Sequence, residues 1–232
     1  VSDPGTVRSI LPGGPNHAEF LGWVDIAADF LNSLTTKDGT TVPVLFRPWH
    51  EHTGSWFWWG QRLCSEAEYE ALWKMTVERM RDRGVSMLTV YSPNPCATEQ
   101  EYLERYPGDA WVDILGLDAY HSGDAWAFAS KLGTSLAIME RIAGEHRKPY
   151  AVSETGMEGI PHADWWTGVL MQGIGERRPA YVLVWRNALQ TLKPGHFYAP
   201  FPGQVSEADF NRFHASPRTL FAADAANAFN NK

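Results

Sequence analysis

Five short apolar segments alternating with amphipathic ones predict a parallel α/β fold of the (β/α)8 TIM barrel kind. The segments are 42–49 (VPVLFRPW), 86–92 (SMLTVYS), 112–120 (VDILGLDAY), 149–154 (PYAVSE) and 180–186 (AYVLVWR). Each reads as a strand buried on both faces. Two further observations favour a barrel over a doubly wound sheet. No glycine-rich phosphate loop follows any strand. Residues with chemical potential end several different strands, namely Glu51, Tyr91, Tyr120, Glu154 and Trp185, whereas an open sheet concentrates its site at one switch point.

In chain order, TVRSIL at 6–11 is a poor strand candidate. Asn16 with Glu19 opens a helix whose stripe is Phe20, Trp23, Val24, Ala27, Phe30 and Leu31. After the first strand, Ser65 with Glu68 forms a capping box and Gly84 supplies a stop. Between them Tyr69, Leu72, Trp73, Thr76, Val77 and Met80 mark one helix face. Weaker helical patterns cover 125–147 and 162–178, and a last helix is expected over 217–229. A barrel has eight strands, yet five are legible and only 41 residues precede the first. The expectation is that strands four to eight are present and three βα units are missing from the N-terminal side. That would leave two open sheet edges.

The 232 residues are 44% hydrophobic and 20% charged, a composition suited to one domain over 1–232. A net charge of −7 without a basic cluster argues against a nucleic-acid partner. No apolar run has the length of a membrane span. The chain starts at Val1 without a visible signal peptide, so either a leader has been removed or the sequence is a fragment. Cys64 and Cys96 each follow a strand end, which makes a disulfide geometrically feasible, but two cysteines define no redox compartment.

The densest chemistry lies in RPWHEHTGSWFWWG, residues 47–60. Glu51 sits where strand gives way to loop, beside His50 and His52, and Trp56, Phe57, Trp58 and Trp59 follow. A carboxylate trades protons with a glycosidic oxygen, and flat rings pack on the apolar faces of pyranoses. Glu154 in YAVSETG ends a second strand in the same way. By strand alternation Arg47, Trp49 and Glu51 share one face, as do Tyr150, Val152 and Glu154. Strands four and seven of a barrel face each other across its mouth, so the two glutamates are expected to approach to roughly 5–5.5 Å, the separation of a retaining glycosidase.

Plainer roles fit other residues. HEH at 50–52 lacks the HExxH spacing and an evident third ligand, so no metal and no cofactor are expected. SET at 153–155 is not a GxSxG elbow. Asp118 reads as a buried structural carboxylate, and Trp111, Trp126, Trp165 and Trp166 as helix–sheet packing. Tyr91 fits core or rim equally, and His121 a substrate contact or a loop role. His146, His162, His196 and His214 read as surface residues. HFYAPFPGQ at 196–204 either covers a cleft or packs over the sheet end.

RPWHEHTGSWFWWG, YSPN (91–94), LGLDAY (115–120), AVSETG (151–156) and VWRNA (184–188) together resemble glycoside hydrolase family 26, over about residues 16–215. The resemblance implies a (β/α)8 barrel of clan A, retention of configuration, and endo-β-1,4-mannanase activity. By motif, Glu51 resembles the family's acid/base and Glu154 its nucleophile. His50 holds the position before the acid/base, near the nucleophile or the sugar 2-hydroxyl. Trp56 resembles the tryptophan that stacks near the cleavage point, Tyr120 the tyrosine that hydrogen-bonds the nucleophile, and Trp185 the platform under the sugar attacked. Arg47 and one of the Trp58–Trp59 pair, taken as Trp59, complete the expected substrate-binding set.

The implied partner is β-mannan or a manno-oligosaccharide, met by a monomer if complete, in a secreted, cell-surface or periplasmic setting. The family's three further N-terminal strands are not seen here. Two rivals stand: the same machinery acting on mixed-linkage glucan or xylan, and an inactive fragment that only binds carbohydrate.

Overall fold

The structure, a computed structural model, describes residues 3–230. In chain order the elements are α1 (Thr6–Ile10), α2 (His17–Ser33), β1 (Val44–Phe46), α3 (Glu66–Asp82), β2 (Met87–Tyr91), α4 (Glu99–Leu103), β3 (Ile114–Tyr120) and α5 (Ala125–His146). Then follow β4 (Tyr150–Gly156), a π-helical turn (Trp165–Leu170), α6 (Met171–Ile174), β5 (Val182–Val184), α7 (Glu207–His214) and α8 (Ala222–Asn230). All five expected strands are present, and TVRSIL is helical. The strands lie in the order β1-β2-β3-β4-β5. Pairs β1–β2 and β2–β3 are parallel, with Leu45 opposite Leu88 and Val90 opposite Ile114. Sequential order with intervening helices is barrel order, and it lacks the reversal that marks a doubly wound sheet.

The chain resolves into two compact units, one of Val1–Asp118, Ser135–Ser153 and Pro179–Val182, the other of Ala119–Thr134, Glu154–Arg178 and Leu183–Lys232. In the first unit, α3 forms as its sequence dictates. The Ser65 hydroxyl accepts from the Glu68 amide, the Glu68 carboxylate accepts from the Ser65 amide, and Tyr69, Leu72, Trp73, Thr76, Val77 and Met80 are the buried face. Gly84 ends the helix with a φ of 74°. Arg79 grips Asp25 on α2 through two bonds of 2.7 and 2.6 Å.

α2 departs from its expected stripe. Phe20, Val24 and Ala28 are buried, whereas Trp23 and Phe30 are exposed. The helix meets its neighbours along a narrower seam than its apolar content suggests. Asn16 precedes it without a side-chain cap, and its amide nitrogen donates to the Ser9 hydroxyl. Leu45 and Leu88, adjacent on β1 and β2, are each half exposed.

The second unit holds a tryptophan core. Trp165 and Trp166 are buried and meet edge to face, and the Trp166 indole donates to Ser206. The 162–178 segment is a π-helical turn followed by one short α turn, shorter and wider than its pattern suggests. Trp126 corrects another expectation: it is an exposed residue of α5, not packing. His196 is buried and hydrogen-bonded to Glu158 at 2.5 Å, not a surface residue. Cys64 and Cys96 are both free thiols.

Candidate active site

In the first unit, β1 stops at Phe46, so strand alternation does not govern residues 47–51. Trp49 and Glu51 instead adopt left-handed backbone, with φ of 51° and 52°. The expected common face of Arg47, Trp49 and Glu51 is therefore absent. Arg47 turns to Asp118, 2.6 Å away, and to the Ser92 hydroxyl. Ser153 donates to the other Asp118 oxygen at 2.8 Å, which satisfies this buried carboxylate as a structural one. Trp49 packs edge-on against Trp58 and Trp59 and donates to Thr76.

The irregular backbone aims Glu51 into the aromatic loop. Its amide donates to the Ser92 carbonyl at 2.8 Å, which ties the turn to the end of β2. Its Oε2 accepts a 2.8 Å hydrogen bond from the Trp56 indole. That ring folds over Gly54, where a Cβ would come within 2.3 Å of it. Trp56 remains 59% exposed. Trp59 is held from behind: its indole donates to the His50 carbonyl, and Phe57 stacks on it at 4.4 Å. The His50 ring lies 5.0 Å from that of Phe57. Beside Trp56 opens a groove of about 410 Å³, lined by Thr53, Gly54, Gln61, Asn94 and Glu101 among others.

In the second unit, Glu154 is 4% exposed at the end of β4, and its Oε2 accepts a 2.7 Å hydrogen bond from the Tyr120 hydroxyl. Tyr120 meets Tyr198 edge to face. Tyr198 lies against Gly156, whose φ of 155° and missing Cβ are both required, since a Cβ would stand 2.4 Å from the ring. Asn187 accepts from the amides of Tyr198 and Ala199, so HFYAPFPGQ packs down on the strand ends. Trp185 is half-buried after β5, with the Arg186 guanidinium 6.0 Å above its ring. His121 accepts from the Trp165 indole and sits beside the Gly123 carbonyl, and burial lowers its pKa.

Among the described residues no group of three His, Cys, Asp or Glu is arranged to hold a metal ion. Two residues marked in the sequence only as a neighbour of Glu51 and as part of a loop are buried: His52, between two tyrosine hydroxyls, and Tyr198, which backs Tyr120. The buried face of α3 carried a signal for the first, because the Tyr69 hydroxyl on that face requires a partner.

Parallel strands in sequential order with intervening helices, a glutamate in the turn after β1 beside an exposed indole, and a second glutamate near the end of β4 place the chain among α/β folds of the barrel class. The chain belongs to glycosyl hydrolase family 26, whose model matches residues 11–185. It is 33% identical over 233 aligned residues to a mannan endo-1,4-beta-mannosidase of Bifidobacterium adolescentis, covering 92% of this chain and 23% of that protein. It superposes on a GH26 beta-mannanase from Bacteroides ovatus with a TM-score of 0.93 and 50% identity, over 97% of this chain and 65% of the other. A modular endo-beta-1,4-mannanase from Cellulomonas fimi gives 0.87 and 38%, over 99% and 53%. The chain thus spans less than two thirds of each of these proteins, and its five-stranded sheet fits a partial (β/α)8 barrel.

Proposed function

We propose that this chain carries the catalytic machinery of an endo-β-1,4-mannanase that hydrolyses internal mannosidic bonds with retention. The observation that carries the reading is that a family 26 chain has both glutamates, each with a side-chain hydrogen-bond donor: Trp56 for Glu51 and Tyr120 for Glu154. In the first step the Glu154 carboxylate attacks the anomeric carbon. The bond to the leaving oxygen breaks as Glu51 delivers its proton there. In the second step Glu51 takes a proton from water, whose oxygen displaces Glu154. Two displacements at one carbon retain configuration, and they require the carboxyls to lie roughly 5–5.5 Å apart.

The other residues serve the sugars. Trp56 offers an exposed face at the cleavage point, and the adjoining groove takes the departing part of the polymer. Trp185 stacks under the sugar attacked. His50 bonds a hydroxyl near it, and Trp59 stiffens the loop that presents both. Arg47 acts from below, holding the strand ends through Asp118.

The same reading takes the five strands as the fourth to eighth of the barrel. Uncovered Leu45 and Leu88 on neighbouring strands support this, as does the coverage of longer relatives. Residues 1–232 alone are then expected to melt broadly, and a sharp cooperative transition would oppose it. A substrate polymer too large to import favours a working enzyme outside the cytoplasm.

Proton NMR of linear β-1,4-mannan during digestion by the full-length protein tests the function. Internal cleavage with the β-anomer appearing first is expected. The α-anomer first, or cleavage of mixed-linkage glucan or xylan but not mannan, would overturn the reading.

A further inference from the structure

The turn that carries Glu51 holds two non-glycine residues in left-handed backbone within three positions. Such conformations persist only where surrounding contacts over-determine them. Behind the turn lies a buried chain of hydrogen bonds. The Tyr69 hydroxyl lies 3.0 Å from the Trp49 carbonyl and 2.9 Å from His52 Nδ1. His52 Nε2 lies 3.0 Å from the Tyr91 hydroxyl, which in turn lies 3.0 Å from the Tyr102 carbonyl. His52, Tyr69, Tyr91 and Tyr102 are all fully buried.

Counting protons fixes how this chain works. If both tyrosines donate to their carbonyls, both must accept from His52, which needs an imidazolium with two N–H groups. Burial, with the Arg105 charge next, lowers the ring's pKa to about 3, so the imidazole is neutral and has one N–H. One carbonyl therefore loses its tyrosine proton. With the proton on Nδ1, Tyr69 keeps its bond to Trp49 and the turn stays clamped. With the proton on Nε2, Tyr69 turns to His52 and the Trp49 carbonyl is released.

Building on the function proposed above, we infer that His52 is a positioning residue, whose Nδ1–H tautomer locks the Trp49 carbonyl through Tyr69 and so fixes Glu51 for proton delivery. Removing the lock should impair steps that need the acid while sparing a glycosylation step that needs none.

Two measurements on the full-length protein test this. Nitrogen-15 NMR of the imidazole reads the tautomer whether or not the protein turns over mannan. A neutral Nδ1–H ring at pH 7 is expected; an Nε2–H or doubly protonated ring overturns the inference. For kinetics, His52→Asn keeps a donor near the Nδ1 position, whereas His52→Gln reaches instead toward Tyr91. The Gln variant should lose about 10–100-fold in kcat/KM on manno-oligosaccharides. It should change less than about threefold on a dinitrophenyl mannobioside, whose leaving group needs no proton. The Asn variant should recover most of the loss. Equal losses on both substrates, or no difference between Asn and Gln, overturn the inference. An unaltered protein that hydrolyses neither substrate overturns the proposed function instead, and the NMR result still decides the tautomer.

Discussion

The indole N–H of Trp56 donates to Glu51 Oε2 at 2.8 Å from a ring that is more than half exposed. One side chain therefore touches the candidate acid with its edge and offers a face to solvent. Trp56→Phe keeps the face and removes the donor. It should lower kcat/KM on manno-oligosaccharides by about 10–100-fold, equivalent to about 1.4–2.7 kcal/mol, and leave a dinitrophenyl mannobioside nearly unaffected. Comparable losses on both substrates in steady-state assays would place the indole's contribution in stacking.

Tyr120 behaves oppositely because Glu154 is needed for every substrate. Its 2.7 Å bond to a buried carboxylate is charge-assisted, and such bonds contribute about 1.5–3 kcal/mol. Tyr120→Phe should slow the glycosylation step by about 10–100-fold on activated and natural substrates alike. Stopped-flow bursts with the dinitrophenyl substrate measure that step. A loss confined to natural substrates would contradict the assignment.

The capping box of α3 is an independent check on the fold. Ser65→Ala removes a side-chain acceptor for the Glu68 amide and should cost about 1 kcal/mol in urea denaturation. No change in kcat is expected, since the cap acts on the helix end and no proposed sugar contact depends on it.

The α3 example also marks what a sequence can convey. Its cap, its stop at Gly84 and its six buried residues are set by local chemistry and a 3.6-residue period, and all were legible. The order of five strands was legible for a similar reason. The Glu51 turn was not, because alternation presumes extended backbone and the chain leaves it at Arg47. Nor were exposed Trp23 and Trp126 or buried His196, whose surroundings come from distant segments. His50, Glu51 and Trp56 were singled out by residue type, position and motif. The partner that positions Glu51, the Ser92 carbonyl, lies far along the chain, and the fold of the Trp56 ring over Gly54 is a loop conformation without a periodic signature.

His52 links the site to stability. Burial, the Arg105 charge and the His50 charge lower its pKa to about 3, against a smaller upward pull from the Trp49 carbonyl. The unfolded chain, with an ordinary histidine near 6.5, binds a proton that the native state refuses between those two values. This contribution is therefore complete above pH 6.5 and is lost as pH falls toward 3, by up to about 1.4 kcal/mol per unit. Urea midpoints at pH 7 and pH 5 should converge in His52→Gln relative to the unaltered protein. Equal shifts in both proteins would assign the acid sensitivity to carboxylates.

Double displacement requires Glu154 to become covalently bonded to sugar during turnover. A 2-deoxy-2-fluoro mannobiosyl fluoride slows release of such an intermediate, and mass spectrometry of peptides from the inactivated full-length protein locates it. One added glycosyl mass is expected on the peptide carrying Glu154, lost on incubation with an acceptor sugar. A label on Glu51 or another carboxylate, or steady turnover with no labelled peptide, would contradict it.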